Sequence, residues 1–116
     1  MNPGELNRRI TILKRSIFTD DNGFEKEEWI DYKTVWAKVK NLNGREFFQA
    51  QQAHSKASKK VIIRYFNDLD SSLNPNVSLE YKIKYKNNNY NLIYSDNIQE
   101  QNRFIELLLE GEWFGS

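Results

Sequence analysis

The sequence predicts a mainly β protein, a small antiparallel β-barrel of about six strands with one short α-helix. Several stretches alternate apolar and polar side chains, which is the pattern of strands with one buried face. Clusters of Asn, Asp, Gly, Ser and Pro separate these stretches, and one stretch carries the pattern of a helix start. We expect the sheet to close into a barrel because closure removes exposed strand edges.

The chain of 116 residues has the length of one domain, so we assign residues 1–116 to a single unit. Residues 1–7 are predicted to form an irregular N-terminal arm, which Leu6 could tie to the core. Residues 41–60 are predicted to be a helix-containing loop, and residues 111–116 a C-terminal tail.

Two long strands are predicted near the start of the chain. Residues 8–18 are rich in β-branched side chains, and Asn22-Gly23 is typical of a hairpin turn in which both residues have positive φ. In the second strand Ala37 and Val39 alternate with lysines, so we expect both of them to face the core. The two strands should pair antiparallel.

The second strand should also contain an irregularity. Ile30 and Tyr32 have the opposite parity to Ala37, which predicts that one residue is absorbed by a bulge near Lys33 or Thr34. Trp36 then lies on the face away from the core. It is either covered by the helix or exposed to a neighbouring subunit.

A short helix is predicted to follow this strand. Asn43 is a favourable N-cap, and Glu46 stands three positions later, as in a capping box. The helix should start near Gly44 and run about three turns, with Phe47 or Phe48 packed against one end of the sheet.

The second half of the chain predicts further strands. In order we expect a strand at 60–66, a loop at 67–77, a strand at 79–86, a turn at 87–89, a strand at 90–94 and a last strand from about residue 103. The clearest alternation is that of Leu79, Tyr81, Ile83 and Tyr85, and Tyr90, Leu92 and Tyr94 continue it after the turn.

Composition excludes several classes of function. The formal net charge is +1, which gives no global attraction to nucleic acid or an anionic membrane. There is no cysteine, and no window approaches the ~20 apolar residues of a membrane span. We therefore expect a soluble protein, made and kept in the cytoplasm, with no membrane partner. Because 28% of the residues are charged and must occupy most of the exterior, we expect the isolated protein to be monomeric.

The inventory of chemically active side chains is thin, and we predict no catalytic residue, no metal site and no cofactor. His54, the sole histidine, lies in the polar run that ends the predicted helix, where a cation interacts favourably with the helix dipole. The stretch that begins at Asp68 starts like a calcium loop but has Leu73 where glycine is required. The protein is not expected to be an enzyme.

Lys82, Lys84 and Lys86 form a basic stripe on one predicted strand, and Lys56, Lys59 and Lys60 form a second basic group. Lysines on an exposed strand are a common guard against edge pairing. The alternative is that copies of the stripe in a ring line a channel for DNA, with contacts to phosphates that are independent of base sequence.

Several stretches in a fixed order resemble the head-tail joining family of tailed bacteriophages, also described as head completion, stopper or head-tail adaptor proteins. The stretches are Asn2-Pro-Gly-Glu-Leu6, Arg9-Ile-Thr-Ile12, Asp20…Gly23…Trp29, Val35-Trp-Ala37, Leu42-Asn-Gly-Arg-Glu46, Ile63-Arg-Tyr65, Ile83-x-Tyr85…Tyr90-x-Leu92 and Asp96-Asn…Asn102-Arg103. They cover nearly the whole chain, and it is their order and spacing that make the resemblance specific.

The resemblance implies a structural role in the virion, after synthesis in the cytoplasm of the host bacterium. Such subunits form a homo-oligomeric ring, here expected to be dodecameric, between portal or adaptor proteins of the head and a tail-completion protein. The ring retains the packaged double-stranded DNA, which it touches only non-specifically.

The resemblance also implies a channel gate between the second long strand and the next core strand. In this sequence the gate maps to the loop at 41–60, and its candidate residues are Asn43, Gly44, Arg45, Glu46, His54, Lys56, Lys59 and Lys60. The candidate DNA-facing residues are Lys82, Lys84 and Lys86, and the candidate subunit-interface residues are Trp29 and Trp36.

An alternative function is an oligonucleotide-binding β-barrel module. In that case aromatic side chains on a sheet face would stack on bases, and the candidates are Trp29, Trp36, Tyr65 and Tyr81.

Overall fold

The computed structural model describes residues 3–42 and 58–111, and in these ranges it is a closed antiparallel β-barrel. The strands are β1 (Arg8–Thr19), β2 (Glu25–Asn41), β3 (Lys59–Arg64), β4 (Tyr81–Tyr85), β5 (Asn88–Asn97) and β6 (Phe104–Gly111). Their order around the barrel is β1-β2-β3-β6-β5-β4. The predicted fold class is confirmed.

The barrel interior is filled by the inward-facing residues of all six strands. Most are fully buried aliphatic side chains: Ile10, Ile12, Ala37, Val61, Ile63, Ile83, Leu92, Ile105, Leu107 and Leu109. Each large aliphatic side chain buried in this way contributes about 1.5–3 kcal/mol to folding. The core positions of Ala37 and Val39 are confirmed, with Ala37 fully buried and Val39 partly buried against the cluster.

The expected bulge in β2 is present. Ile12 lies opposite Lys33, while the next residue of β1, Leu13, lies opposite Asp31, so Tyr32 is the extra residue of β2. The bulge stands one position before the predicted Lys33. Because of this extra residue, both halves of β2 pair with β1 in one ladder, although their apolar residues fall on opposite parities in the sequence.

The turn between β1 and β2 differs from the prediction. Only Gly23 has positive φ, at 84°, whereas Asn22 does not. The Asp20 carboxylate accepts hydrogen bonds from the backbone amides of Asn22 and Phe24, both at 2.9 Å. These bonds favour a longer Asp-initiated loop over the two-residue Asn-Gly turn.

The β4–β5 hairpin is shifted relative to the prediction at both of its ends. Residues before Tyr81 form the short helix α1 (Val77–Glu80), so Leu79 is exposed instead of starting the strand. The amides of Leu79 and Glu80 bond the Asn76 carbonyl at 3.0 Å and so have partners outside the sheet.

The turn that joins β4 to β5 is Lys86-Asn87, not 87–89. Both residues have positive φ, at 50° and 64°. This is the backbone of a two-residue turn whose twist matches that of the strands. Lys86 therefore lies at the tip of the hairpin and not within β4.

The alternation predicted for Tyr90, Leu92 and Tyr94 does not continue through Tyr94. A register shift between Leu92 and Tyr94 leaves Ile93 as an extra residue, so Tyr94 is exposed and Ser95 is buried. The Ser95 hydroxyl donates a 2.6 Å hydrogen bond to the Leu69 carbonyl, which allows a polar residue to occupy the core position.

Other boundaries agree with the prediction or fall outside the described residues. The last strand is confirmed by β6, and Leu6 is buried beside the 3₁₀ turn Pro3–Glu5. The predicted helix near Gly44, with Phe47 and Phe48, lies outside the described residues, as do residues 112–116 of the predicted tail. In the described part of the chain, no helix has the length and apolar content to cross a membrane.

Candidate assembly surfaces

The first two strands extend far beyond the barrel. β1 pairs with β4 only over residues 11–14, and β2 pairs with β3 only over residues 37–41. Residues 15–31 therefore form a two-stranded ribbon, which we call the projecting hairpin. The molecule measures 50 Å along its longest axis, against 31 and 26 Å along the others.

Large apolar side chains are exposed along the projecting hairpin. Phe24 at the tip is 66% exposed, Ile17 lies on one face, and Phe18 and Ile30 lie on the other. Exposed apolar side chains grouped on one projecting element can mark a surface that a partner covers. The chain itself does not cover them within the described ranges.

The root of the projecting hairpin is held firmly by the barrel. The bulge residue Tyr32 donates its hydroxyl hydrogen bond to Asp68, and its ring lies 5.8 Å from that of Tyr81. The Lys14 ammonium lies 5.1 and 5.9 Å from the two ring centroids. The hydrogen bond to Asp68 raises the pKa of Tyr32, and burial raises the pKa of Tyr81 to about 12. Both phenols are thus neutral anchors near pH 7.

One face of the projecting hairpin is tied together by polar contacts. Arg15 pairs with Glu27 at 2.8 Å, and the Trp29 indole donates a 3.1 Å hydrogen bond to the same carboxylate. The Lys82 ammonium of β4 lies 4.7 Å from the Trp29 ring. Trp29 is therefore half-buried at the junction of hairpin and barrel, and its role at a subunit interface stays a prediction.

Charge is divided unevenly between the two regions. The projecting hairpin carries two basic and six acidic side chains, a net charge of −4. The other described residues, 3–14, 32–42 and 58–111, carry thirteen basic and eight acidic side chains, a net charge of +5. The near-zero charge of the whole chain conceals an acidic ribbon attached to a basic barrel.

A second exposed surface lies on the outside of the barrel. Trp36 is 53% exposed, and the Arg9 guanidinium stacks 4.7 Å from the centroid of its ring. Trp36 lines a surface depression of about 420 Å³, together with Leu6, Asn7 and Arg64 of β3. We call Arg9, Trp36 and Arg64 the arginine–tryptophan patch. Trp36 is thus exposed on the face predicted for it, and Trp and Arg are the residues most often found at binding hot spots.

The lysine stripe is divided between a strand and a turn. Lys82 and Lys84 lie on the outer face of β4, and Lys86 lies in the following turn with its ammonium 5.4 Å from the Tyr85 ring. β4 pairs with β1 on one side and β5 on the other. These lysines therefore do not guard a free edge, and their contact with DNA stays a prediction.

Among the described residues, free strand edges occur in the projecting hairpin. There Glu25, Lys26, Glu27 and Glu28 lie on β2, which in this region pairs only with β1 among the described strands. Charged side chains on such an edge discourage pairing with foreign strands.

Most of the candidate gate residues lie outside the described residues: Asn43, Gly44, Arg45, Glu46, His54 and Lys56. Lys59 donates a hydrogen bond to the Asn41 side chain, and Lys60 lies 4.0 Å from Glu106. The Leu42 amide bonds the Ser58 carbonyl at 3.0 Å, so the chain leaves and re-enters the barrel at adjacent points. These points lie at the end of β2 opposite to the projecting hairpin.

A buried polar network holds the loop between β3 and α1 against the barrel. The buried Asp70 carboxylate accepts hydrogen bonds from the Tyr65 hydroxyl at 2.7 Å, the Ser72 hydroxyl at 2.7 Å and the Ser72 amide at 3.0 Å. The bonds from Ser72 and Tyr65 lower the pKa of Asp70. The described ranges contain no group of three side chains able to hold a metal ion, and Asp70 acts here as a structural anchor.

The four aromatic residues considered for base stacking do not share a surface. Tyr81 is only 3% exposed, and Tyr65 packs against the core with its hydroxyl bonded to Asp70. Trp29 and Trp36 lie on the outside of β2, seven residues apart along the strand. The geometry does not favour the oligonucleotide-binding alternative.

A family model, described as phage head completion protein, matches residues 1–112. The chain belongs to the phage head completion protein family. The head completion protein gp7 of Enterobacteria phage HK97 is 31% identical over 72 residues, a match that covers 62% of this chain and 64% of that protein. The family assignment confirms the resemblance found in the sequence and places the chain among the structural proteins of the bacteriophage virion.

Solved structures share the fold of this phage head completion protein. Protein SF1141 of Shigella flexneri 2a is similar with a TM-score of 0.68 and 24% identity, and the match covers 98% of this chain and 99% of that one. A chain of the virion of a native gene transfer agent particle is similar with a TM-score of 0.56 and 12% identity, over 92% and 94% of the two chains. At these identities the likeness is one of fold alone.

Sequence reasoning missed the projecting hairpin and the arginine–tryptophan patch. The signal for the hairpin was present, because β1 and β2 have 12 and 17 residues while β3 and β4 have six and five. Strands this long exceed what the other strands can pair with. The patch had no local signal, since Arg9 and Arg64 meet Trp36 only through the pairing of three strands.

Proposed function

We propose that this chain is a connector subunit that joins the DNA-filled head to the tail and helps to close the DNA exit channel after packaging. The observation that supports it most is the arrangement of the two ends of the barrel. The gate segment leaves from one end, between Leu42 and Ser58, and the projecting hairpin leaves from the other. A subunit of this shape can present a channel element and a docking element from opposite ends of β2.

In this proposal the protein is structural and binds no cofactor. Its partners are a portal or adaptor protein on the head side, a tail-completion protein on the other side and copies of itself in a dodecameric ring. The isolated chain is a monomer that assembles on the head. There, weak lateral contacts act together and the effective concentration is high.

DNA contact is non-specific in this proposal. Lys82, Lys84 and Lys86 lie along one outer side of the barrel, and in a ring each copy adds its own set. Contacts of this type weaken with salt, and removing one lysine that contacts a phosphate lowers the salt slope by about one.

The test uses heads that contain the portal and packaged DNA but lack this protein. Added wild-type protein should appear in electron microscopy as a ring below the portal and should protect the DNA from nuclease. A variant with residues 43–57 replaced by a short Gly-Ser linker should still add the ring but should leave the DNA accessible. If wild-type protein adds no density to such heads, the connector function is wrong. If the linker variant protects the DNA fully, the gate assignment is wrong.

A further inference from the structure

The tip of the projecting hairpin and the arginine–tryptophan patch are chemically complementary. At the tip, Phe24 is exposed, and the acidic residues Asp21 and Glu25 lie close to it in the sequence. On the patch, the exposed Trp36 ring is accompanied by Arg9 and Arg64. An aromatic ring with carboxylates beside it matches an aromatic ring with guanidinium groups beside it, because rings pack on one another and the charges have opposite signs.

The two surfaces of one molecule cannot meet. Phe24 precedes β2 and Trp36 lies within it, so twelve residues of nearly continuous strand separate them, a distance of about 40 Å at 3.3 Å per residue. The strand is paired with β1 along this length, and its root is fixed by the contacts of Tyr32 with Tyr81 and Asp68. The hairpin cannot fold back onto its own barrel.

We propose that the tip of the projecting hairpin of one copy docks on the arginine–tryptophan patch of the next copy. The inference rests on the proposed connector function, because it supplies the lateral contact of the ring. Charge favours a second copy of this chain as the partner over an unrelated protein. The hairpin has a net charge of −4 and the remaining described residues have a net charge of +5, so the hairpin of one copy is attracted to the barrel of another. One chain thus carries both halves of the contact.

The contact joins two different surfaces of identical subunits. A head-to-tail contact of this kind generates a ring when the rotation closes and a filament when it does not. Each subunit gives one hairpin and receives one, so no copy in a closed ring has an unused tip. A single tip has only a few side chains, and one contact alone is too small for a stable dimer in dilute solution.

The natural chain has no cysteine, so paired cysteines can report this contact cleanly. Asn22→Cys places a thiol at the tip, and Asn7→Cys places one in the depression beside Trp36. The combined variant, oxidised at high concentration and separately on assembled heads, should give a ladder of disulfide-linked oligomers longer than dimers. The matched control combines Asn22→Cys with Asn89→Cys on the outer side of β5, where the hairpin should not dock.

Charge exchange provides the second arm. Asp21→Lys with Glu25→Lys in the cysteine-pair background should lower the cross-linked yield at least fivefold. This corresponds to a loss of about 1 kcal/mol in the free energy of the contact. Adding Arg9→Glu and Arg64→Glu to the same chain should restore the yield, because the signs are then opposite again. A yield that is not restored would overturn the proposal, and so would a ladder of equal intensity in the Asn89→Cys control.

The assembled heads separate this inference from the connector function. A ring seen by electron microscopy without cross-links between positions 7 and 22 would contradict this contact and leave the connector function standing. Cross-linking of the thiol at position 22 to a head or tail protein would show that another virion protein occupies the tip, which also contradicts the inference. Failure of wild-type protein to add a ring would remove the function on which it rests.

Discussion

The barrel and the projecting hairpin share the strands β1 and β2, yet the apolar side chains of these strands are buried in the barrel and exposed in the hairpin. Within the barrel β1 and β2 bury Ile10, Ile12 and Ala37 almost completely. In the projecting hairpin the same strands expose Ile17, Phe18 and Ile30, and there they pair only with each other within the described part of the chain. A continuous strand pair can therefore supply the fold at one end and a binding surface at the other.

The difference lies in the number of neighbouring strands. A strand with partners on both sides and a filled interior loses most of its contact with water, whereas a two-stranded ribbon keeps both faces wet and is marginally stable alone. The free energy of folding should thus be concentrated in the barrel, and the hairpin should contribute mainly to assembly. The following changes test that division.

The largest effect is expected from Ala37→Asp. The Ala37 side chain is fully buried in the barrel, so the new carboxylate would lie in the core without a partner. We expect a loss of about 3–5 kcal/mol in the free energy of unfolding, measured by urea denaturation. Glu28→Asp on the exposed part of the same strand is the control and should cost less than about 0.5 kcal/mol. Equal stability of Ala37→Asp and wild type would refute the register of β2.

Truncation of matched isoleucines compares the two regions directly. Ile83→Ala in the barrel should cost about 2–5 kcal/mol, because it removes fully buried atoms and leaves a cavity. Ile30→Ala in the projecting hairpin, where the side chain is 43% exposed, should cost less than about 1 kcal/mol. Thermal and urea unfolding measure both. Similar losses for the two variants would show that the hairpin belongs to the folded core.

A smaller effect with a defined pH dependence is expected from Asp70→Asn. The carboxylate accepts three hydrogen bonds and its pKa is lowered, so it stabilises the folded state while ionised. We expect a loss of about 1.5–3 kcal/mol at pH 7. Because the folded pKa lies below the unfolded value, the contribution is complete above about pH 5 and decreases as the pH falls through 4 and below.

Wild type and Asp70→Asn should therefore converge in stability in strong acid, as followed by denaturant unfolding at several pH values. The control is Asp96→Asn, an exposed carboxylate on β5, which should cost less than about 0.5 kcal/mol at pH 7. A difference between wild type and Asp70→Asn that is constant from pH 7 to pH 2 would contradict this account of the network.

The smallest effect on stability, and the sharpest on assembly, is expected when the projecting hairpin is shortened. Ser16 and Glu28 lie opposite each other, so residues 17–27 can be replaced by an Asn-Gly turn. The barrel should keep its stability within about 1 kcal/mol, since no core residue is removed. Ring addition to heads, followed by electron microscopy, should be lost. Normal ring addition by the shortened protein would show that the hairpin has no part in assembly.

The sequence predicted the barrel well because its interior is encoded locally. Alternation of residues such as Val61, Ile63, Leu107 and Leu109 identifies strands without knowledge of their partners, and all four are fully buried. The parity change in β2 even located its bulge to within one residue. The family resemblance was readable for a similar reason, since it depends on the order of local stretches.

The errors arose where the outcome depends on contacts distant in the sequence. Ser95 occupies an inward position only because the Leu69 carbonyl accepts its hydroxyl, and that partner is 26 residues away. Leu79 continues the alternation of the next strand in the sequence. In the structure, however, the amides of Leu79 and Glu80 bond the Asn76 carbonyl, so Leu79 lies in a helical turn. The arginine–tryptophan patch needs three strands in register, which local periodicity does not encode.

The hydrogen bond between Leu42 and Ser58 has a consequence for how this protein can change over time. It brings the backbone at residues 42 and 58 together, so the ladder between β2 and β3 stays paired up to the point where residues 43–57 are inserted. Doubling the length of such an insertion costs only about 0.6 kcal/mol of closure entropy. A change in the length of the chain between residues 42 and 58 should therefore carry only a small entropic cost for the strands that flank it.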